Sequence, residues 1–356
     1  MQVRPFGVAS RRCLISPLRQ PRIKGGDLLS RIIYFWVLWI VLVFCLKSLL
    51  GYVDGGPCIF RPGAVELSKK WSSVLRWADR YPRFSSLVRK LDPRHLTYPN
   101  VAIFGADPVL DLTGRVEVPV GTIGNRTAII VFIGQSLSVN NVPTPYVPAN
   151  SAIDQLNIYD GKLYQAKDPL LGINVSGGPV TEKRGTWMLA MADKLIIDGH
   201  FDRVIIVPMA VGNTRADQWA SSTSAPYLFN NINVVGLRLR DLGLPCTAIM
   251  WGQGESDTIA GTSQAAYTAA LNKVIAEFNR AIPDCPFFVA EEAYYYGKTS
   301  PAVLAAQASV VNGTTVFAGE NVELIGPSGR YDNTHLNEAG ALQRASLAVA
   351  ALMAAL

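Results

Sequence analysis

Four short polar blocks hold the residue types that acyl transfer needs. Gly134-Gln135-Ser136, Gly212-Asn213-Thr214 and Gly252-Gln253-Gly254-Glu255-Ser256-Asp257 each follow an apolar run, and Tyr331-Asp332-Asn333-Thr334-His335 precedes the final Ala-rich stretch. A serine hydroxyl attacks an ester carbonyl when a neighbouring imidazole takes its proton, and a carboxylate on the other ring nitrogen orients that base. Of the three histidines, His95 lies far upstream in a basic segment. His200 precedes an apolar run starting at Arg203, at the opposite end of the expected sheet. His335 is left as the base, with Asp332 as its orienter. Ser136 is the candidate nucleophile, its hydroxyl exposed at a strand-to-helix turn and its own N–H aimed at a developing oxyanion. Gly212 has no side chain to block approach and can present its N–H to the same point, and the Gln253 amide can supply a third donor. Each such donor is worth roughly 3 to 4 kcal/mol in the transition state. Taken singly, Asp-x-x-His also reads as a capping turn, Ser136 as a helix cap, and the Gly and Gln positions as plain turns. Their combination makes acyl transfer the economical reading.

These blocks need a scaffold that gathers them at one edge. From Val101 onward, short apolar runs at 128–133, 203–209, 247–251, 286–290 and 314–318 read as strands buried on both faces. Helical periodicity separates them, at about 186–197, 262–280 and 338–356. Alternation of this kind predicts a three-layer α/β/α sandwich with a central parallel sheet and right-handed crossovers. Ligands of such sheets bind beyond the carboxyl ends of the strands, where the first three blocks fall. Residues 138–185 form an unusually long connection, with one hairpin expected to turn at Asp160-Gly161. Its Tyr146, Tyr159 and Tyr164 are candidates for sugar stacking or for ordinary loop packing. Cys246 and Cys285 fall at the starts of what should be neighbouring parallel strands, close enough for a disulfide, the alternative being two buried thiols.

The N-terminal third is different. The chain has 356 residues and a net charge of +6. Residues 1–100 carry 17 Lys and Arg against 5 Asp and Glu, and the remainder carries 16 against 22, so the folded body is acidic. A nucleic-acid-binding domain would place its positive charge on that body, so no nucleic-acid partner is expected. The scattered cysteines and three histidines lack the spacing of a metal site, and no metal is expected. Ile32–Leu46 is uncharged and the apolar stretch resumes after Lys47 to Val53, long enough to cross a bilayer. The chain therefore divides into a basic segment (1–31), a transmembrane signal anchor (32–53), a basic juxtamembrane helical linker (54–100) and a catalytic domain (101–356). A cleaved signal peptide and a buried core helix are the other readings of the apolar run. The Lys and Arg bias places the N-terminus in the cytoplasm and the body on the periplasmic or extracytoplasmic side. Residues 61–94 suit a helix lying on anionic headgroups or a solvated linker helix.

The four blocks resemble the sialate O-acetylesterase-type carbohydrate esterases, close to carbohydrate esterase family 6, within the SGNH hydrolase superfamily. The resemblance rests on Gly134-Gln135-Ser136, Gly212 with Trp219, Trp251-x-Gln253-Gly254-Glu255-x-Asp257 and Asp332-x-x-His335, over about residues 125–350. It implies Ser136 as nucleophile, His335 as general base and acid, Asp332 as orienter, and Ser136, Gly212 and Gln253 as the oxyanion hole. Gln135, Asn213, Glu255 and Asp257 become supporting residues, with Glu255 a buried structural partner. The chain departs from the family's pattern at Leu137, where Asn is usual, and at Asn213, where a second Gly is common. The expected activity is removal of O-acetyl groups from a carbohydrate or glycoconjugate through an acetyl-serine, without a cofactor. The expected partners are an acetylated saccharide and the lipid bilayer. The rival expectations are acetyl transfer to a sugar hydroxyl and a carbohydrate-binding protein with an impaired site.

Overall fold

The computed structural model describes residues 112–173 and 184–356. The segments read above as leader, membrane anchor and juxtamembrane linker lie outside the described residues. Among the described residues, no helix is long and apolar enough to cross a membrane.

The apolar runs become the strands of one eight-stranded sheet. In chain order these are β1 (Glu117–Val118), β2 (Thr127–Gly134), β3 (Ile153–Asn157), β4 (Lys162–Gln165), β5 (Arg203–Pro208), β6 (Ala248–Gly252), β7 (Phe287–Glu291) and β8 (Val316–Asn321). Their order across the sheet is β1-β4-β3-β5-β2-β6-β7-β8. The six strands from β3 to β8 in that order run parallel, whereas β1 with β4 and β4 with β3 are antiparallel. The sheet is thus mostly parallel rather than wholly so. The long connection is responsible: its hairpin adds β3 directly beside β5, with a turn of four residues, Ile158 to Gly161, between Asn157 and its partner Lys162.

Burial explains the layers. Along β2, Ile129, Val131 and Ile133 face one side, where they pack with Leu228, Ile232 and Val235 of α3 (Pro226–Leu242) and with Leu271, Val274 and Phe278 of α5 (Gln264–Ala281). Ala128, Ile130 and Phe132 face the other, against α1 (Trp187–Ile197) and α7 (Glu338–Ala355). Each such aliphatic side chain contributes about 1.5 to 3 kcal/mol through its burial. The remaining helices are α2 (Ala216–Trp219), α4 (Glu255–Ala260) and α6 (Pro301–Ser309). The helical periodicity noted above does not include α2, α3, α4 and α6, although α3 carries Pro in its first turn and ends on Gly243 in the left-handed conformation. Two boundaries also moved. α5 is capped by Ser263, which accepts from Ala266 N, because Thr262 instead bonds Asp257. β8 starts at Val316 because the Asn312 side chain takes the N–H groups of Thr314, Thr315 and Val316.

Cys246 and Cys285 are joined in a disulfide, with Cα atoms 5.6 Å apart, just ahead of the paired strands β6 and β7. The tyrosines of the long connection are packing residues. Tyr146 donates to Asp193 at 2.9 Å, Tyr164 donates to Asp160 at 2.8 Å, and Tyr159 lies against the core.

Two acids tie that connection down. Asp193 accepts the N–H groups of Ala149 and Asn150. Asp168 accepts those of Tyr146 and Thr186 through one oxygen. Burial pushes Asp168 up to about 7, against the pull of these hydrogen bonds. An acid raised in the fold takes up a proton on folding between its ordinary value of 3.8 and about 7, so stability falls as pH rises through that window. The slope for one proton is about 1.4 kcal/mol per pH unit at most. Asp168→Asn keeps an acceptor for both N–H groups and removes the titration. Urea unfolding at pH 5 and pH 8 is expected to show the variant gaining on the wild type at the higher pH, and parallel pH slopes would refute the assignment.

Candidate active site

The blocks converge because two strand ends touch. A Cβ on Gly134 would stand 1.9 Å from the Gly252 carbonyl oxygen, so the ends of β2 and β6 approach as only glycine allows. Immediately beyond, Gln135 N donates to Gly252 O at 3.1 Å. The Gln135 side-chain oxygen accepts from Gln253 Nε2 and from Ser256 N, each at 3.1 Å. Val211 N donates to Gly134 O at 3.0 Å, which brings Gly212 to the same place. Asn213 adopts φ 58°, the left-handed conformation that Asn accepts more readily than most residues.

Ser136 opens a three-residue 3₁₀ turn, Ser136–Ser138, closed by Ser138 N to Gln135 O at 2.8 Å. It is 9% exposed, narrower than the open hydroxyl anticipated above. As the first residue of the turn, it has no internal acceptor for its N–H. Among the described loops and turns, neither the Ser136 nor the Gly212 N–H has a protein acceptor.

The final block forms a tight Asp–His pair. His335 Nδ1 lies 2.6 Å from Asp332 Oδ2, while Asp332 Oδ1 accepts the N–H groups of His335 and Thr334 at 2.7 and 3.0 Å. Burial alone would raise the Asp332 carboxyl, but the hydrogen bonds from the His335 ring and backbone hold it below its ordinary value. One carboxylate therefore sets both the loop and the ring. Among the described residues no hydrogen bond joins Ser136 to His335, an arrangement common where such bonds tighten only around substrate. The two segments are linked a little further out, where the Tyr331 hydroxyl donates to Asn141, three residues beyond the serine turn.

Further residues, unassigned by sequence reasoning, hold the histidine loop. Tyr331 stacks on the His335 ring at 5.9 Å between centroids, and its hydroxyl donates to Asn141 at 3.1 Å. Arg184 donates to both Asn141 and the Tyr331 hydroxyl. From the other side, the Tyr294 hydroxyl donates to Asn333, and Tyr296 N donates to the Thr334 hydroxyl. Tyr331 was visible inside the block, whereas nothing local marks Asn141, Arg184 or Tyr294.

Gln253 departs from its expected part. It is fully buried, and its Nε2 lies within bonding distance of Gln135 Oε1, Thr214 O and Asp257 Oδ2 at 3.1, 3.1 and 2.7 Å. All three are acceptors, which fixes the amide's orientation and commits both of its protons. Reaching an oxyanion would require giving one up, so in this geometry Gln253 braces the serine turn. Asp257 extends the brace by accepting from Ala216 N at 3.0 Å.

Glu255 is buried with Glu292, Glu320 and Arg344 beneath the turn. Burial first, and then the charge of Glu292, push the Glu255 carboxyl well above its ordinary value. Arg344 pairs with Glu292 at 2.6 Å and Glu320 at 2.8 Å. Glu255 Oε1 and Glu292 Oε1 have no donor among the described residues, and a proton on Glu255 supplies one. Among the described residues there is no group of acidic, His or Cys side chains that could hold a metal ion.

A mostly parallel sandwich that collects a serine turn and an Asp–His loop at one sheet edge is the architecture of an SGNH-type hydrolase. Within that class, the chain belongs to the carbohydrate esterase, sialic acid-specific acetylesterase family, whose sequence model matches residues 129–353. It is accordingly an acetylesterase, a carboxylic ester hydrolase. A solved protein of Arabidopsis thaliana shares the fold at 19% identity with a TM-score of 0.52, over 64% of this chain and 98% of that one. NanS aligns at 14% identity and 0.45, over 65% and 98%. A carbohydrate acetylesterase from Xanthomonas citri aligns at 13% and 0.43, over 63% and 55%. Among curated proteins, none matches this chain.

Proposed function

We propose that the protein is a membrane-anchored serine esterase that removes O-acetyl groups from a carbohydrate or glycoconjugate outside the cytoplasm. The observation that carries this reading is the Asp332–His335 pair, set at the same sheet edge as the Ser136 turn. His335 Nε2 takes the Ser136 proton as Oγ attacks the acetyl carbonyl, and the resulting oxyanion is met by the N–H groups of Ser136 and Gly212. Collapse breaks the ester bond, and the imidazolium returns its proton to the departing sugar oxygen. Water, deprotonated by the same imidazole, then releases acetate and restores Ser136. Asp332 holds the ring and stabilises the imidazolium.

The apolar run 32–53 supports an anchor, and the Cys246–Cys285 disulfide supports an oxidising compartment for the body. Membranes bearing the full chain are expected to release acetate from an O-acetylated saccharide. Enzyme quenched during turnover should carry one acetyl group on the peptide containing Ser136. Activity found only in the soluble fraction would remove the anchor, and quenched enzyme bare of acetyl during active turnover would remove the covalent route.

A further inference from the structure

We infer that Trp187 is a positioning residue of the esterase reaction, its indole N–H fixing the serine turn through the carbonyl of Leu137. The inference rests on the proposed acyl-serine reaction and adds to it the part that orients the nucleophile from behind.

The turn needs such a part. A three-residue 3₁₀ helix holds itself by a single backbone bond, and Gln135 gives it no side-chain cap. The Leu137 side chain is apolar and buried, so what this residue offers a donor is its carbonyl. Trp187 Nε1 donates to that oxygen at 2.9 Å, inside the core. Arg344 Nη1 reaches the same oxygen at 3.5 Å.

The donor itself is held rigidly. Trp187 is 1% exposed and sits on the first position of α1. Its ring meets the edge of Phe132, on β2 itself, with centroids 5.4 Å apart. The Arg344 guanidinium covers the ring 4.4 Å from its centroid, and Glu292 and Glu320 hold that guanidinium. A cation stacked on indole adds attraction where water is excluded. The N–H therefore stands at one fixed point relative to the end of β2. Moving the Leu137 peptide would rotate Ser136, which carries both the attacking oxygen and an oxyanion donor.

Two variants separate positioning from packing. Trp187→Phe removes the donor and part of the ring. Replacement of Trp187 by 3-benzothienylalanine keeps the bicyclic shape and removes only the N–H. In both, kcat for an acetyl ester is expected to fall about tenfold with KM unchanged, and amide exchange in residues 134–139 to quicken. The isosteric variant should lower the unfolding midpoint by no more than the loss of one buried hydrogen bond, and stay fully folded at the assay temperature. Wild-type kcat in the isosteric variant, or unchanged exchange in that segment, would overturn the inference. So would a loss of kcat that appears only where the variant is partly unfolded at the assay temperature. If the wild-type protein lacks Ser136-dependent turnover, the proposed function fails separately, and exchange in residues 134–139 still decides whether Trp187 sets the turn.

Discussion

Ser136→Ala and His335→Ala are each expected to lower kcat/KM for a chromogenic acetyl ester by a factor on the order of 10⁴ or more, and the double variant to be no worse than either. The two groups act as one device, so losing either forfeits the covalent route. What then remains above the uncatalysed rate comes from binding and the oxyanion donors. Asp332→Asn should lose activity by a comparable factor while keeping the loop, because Asn can still accept the N–H groups of Thr334 and His335 but no longer fixes the ring tautomer. Since Asp332 is held below the ordinary carboxylate value, it stays charged across the working range. Asp332 should therefore add no proton of its own to the acid limb of kcat/KM. Additive losses in the double variant, or an Asp332→Asn protein as active as wild type, would count against the assignment.

Arg344→Met is expected to destabilise the fold by about 3 to 5 kcal/mol, the range seen when one partner of a buried ion pair is removed. Arg344 is fully buried, and both of its carboxylate partners are buried with it. Glu255 offers the contrast. Burial and the neighbouring Glu292 favour its neutral form, which leaves Arg344 paired with Glu292 and Glu320 in a balance that does not need the Glu255 charge. Glu255→Gln preserves that balance, and its amide can donate where the acid did, so a change within about 1 kcal/mol is expected. Urea unfolding of the two variants tests this. An Arg344→Met protein as stable as wild type, or a Glu255→Gln protein as damaged as Arg344→Met, would contradict the balance described.

The scaffold was legible where a local pattern carries it. The continuous apolar runs became β2, β5, β6 and β7, and Cys246 with Cys285 fell at neighbouring strand starts because parallel register brings such positions together. Asp332 and His335 were readable as a pair because three residues span one turn. What stayed hidden depends on contacts between distant segments. Arg344 looks like a lone surface charge in an Ala-rich helix until Glu292, Glu320 and Trp187 are brought around it. The β3–β4 hairpin was visible, but its place beside β5 was not, since strand order follows from packing. The contacts of Gln253 were hidden for the same reason. An amide beside a strand end looks available until Gln135, Thr214 and Asp257 claim it.

The Cys246–Cys285 bond sits at the amino ends of β6 and β7, on the far side of the sheet from the serine turn. Recombinant material made in a reducing host would carry two thiols there while its reacting groups remain untouched by the missing cross-link. Turnover alone is therefore a poor certificate of correct maturation, and batches from secreting and cytosolic hosts should be compared by thiol titration before their heat tolerance is compared.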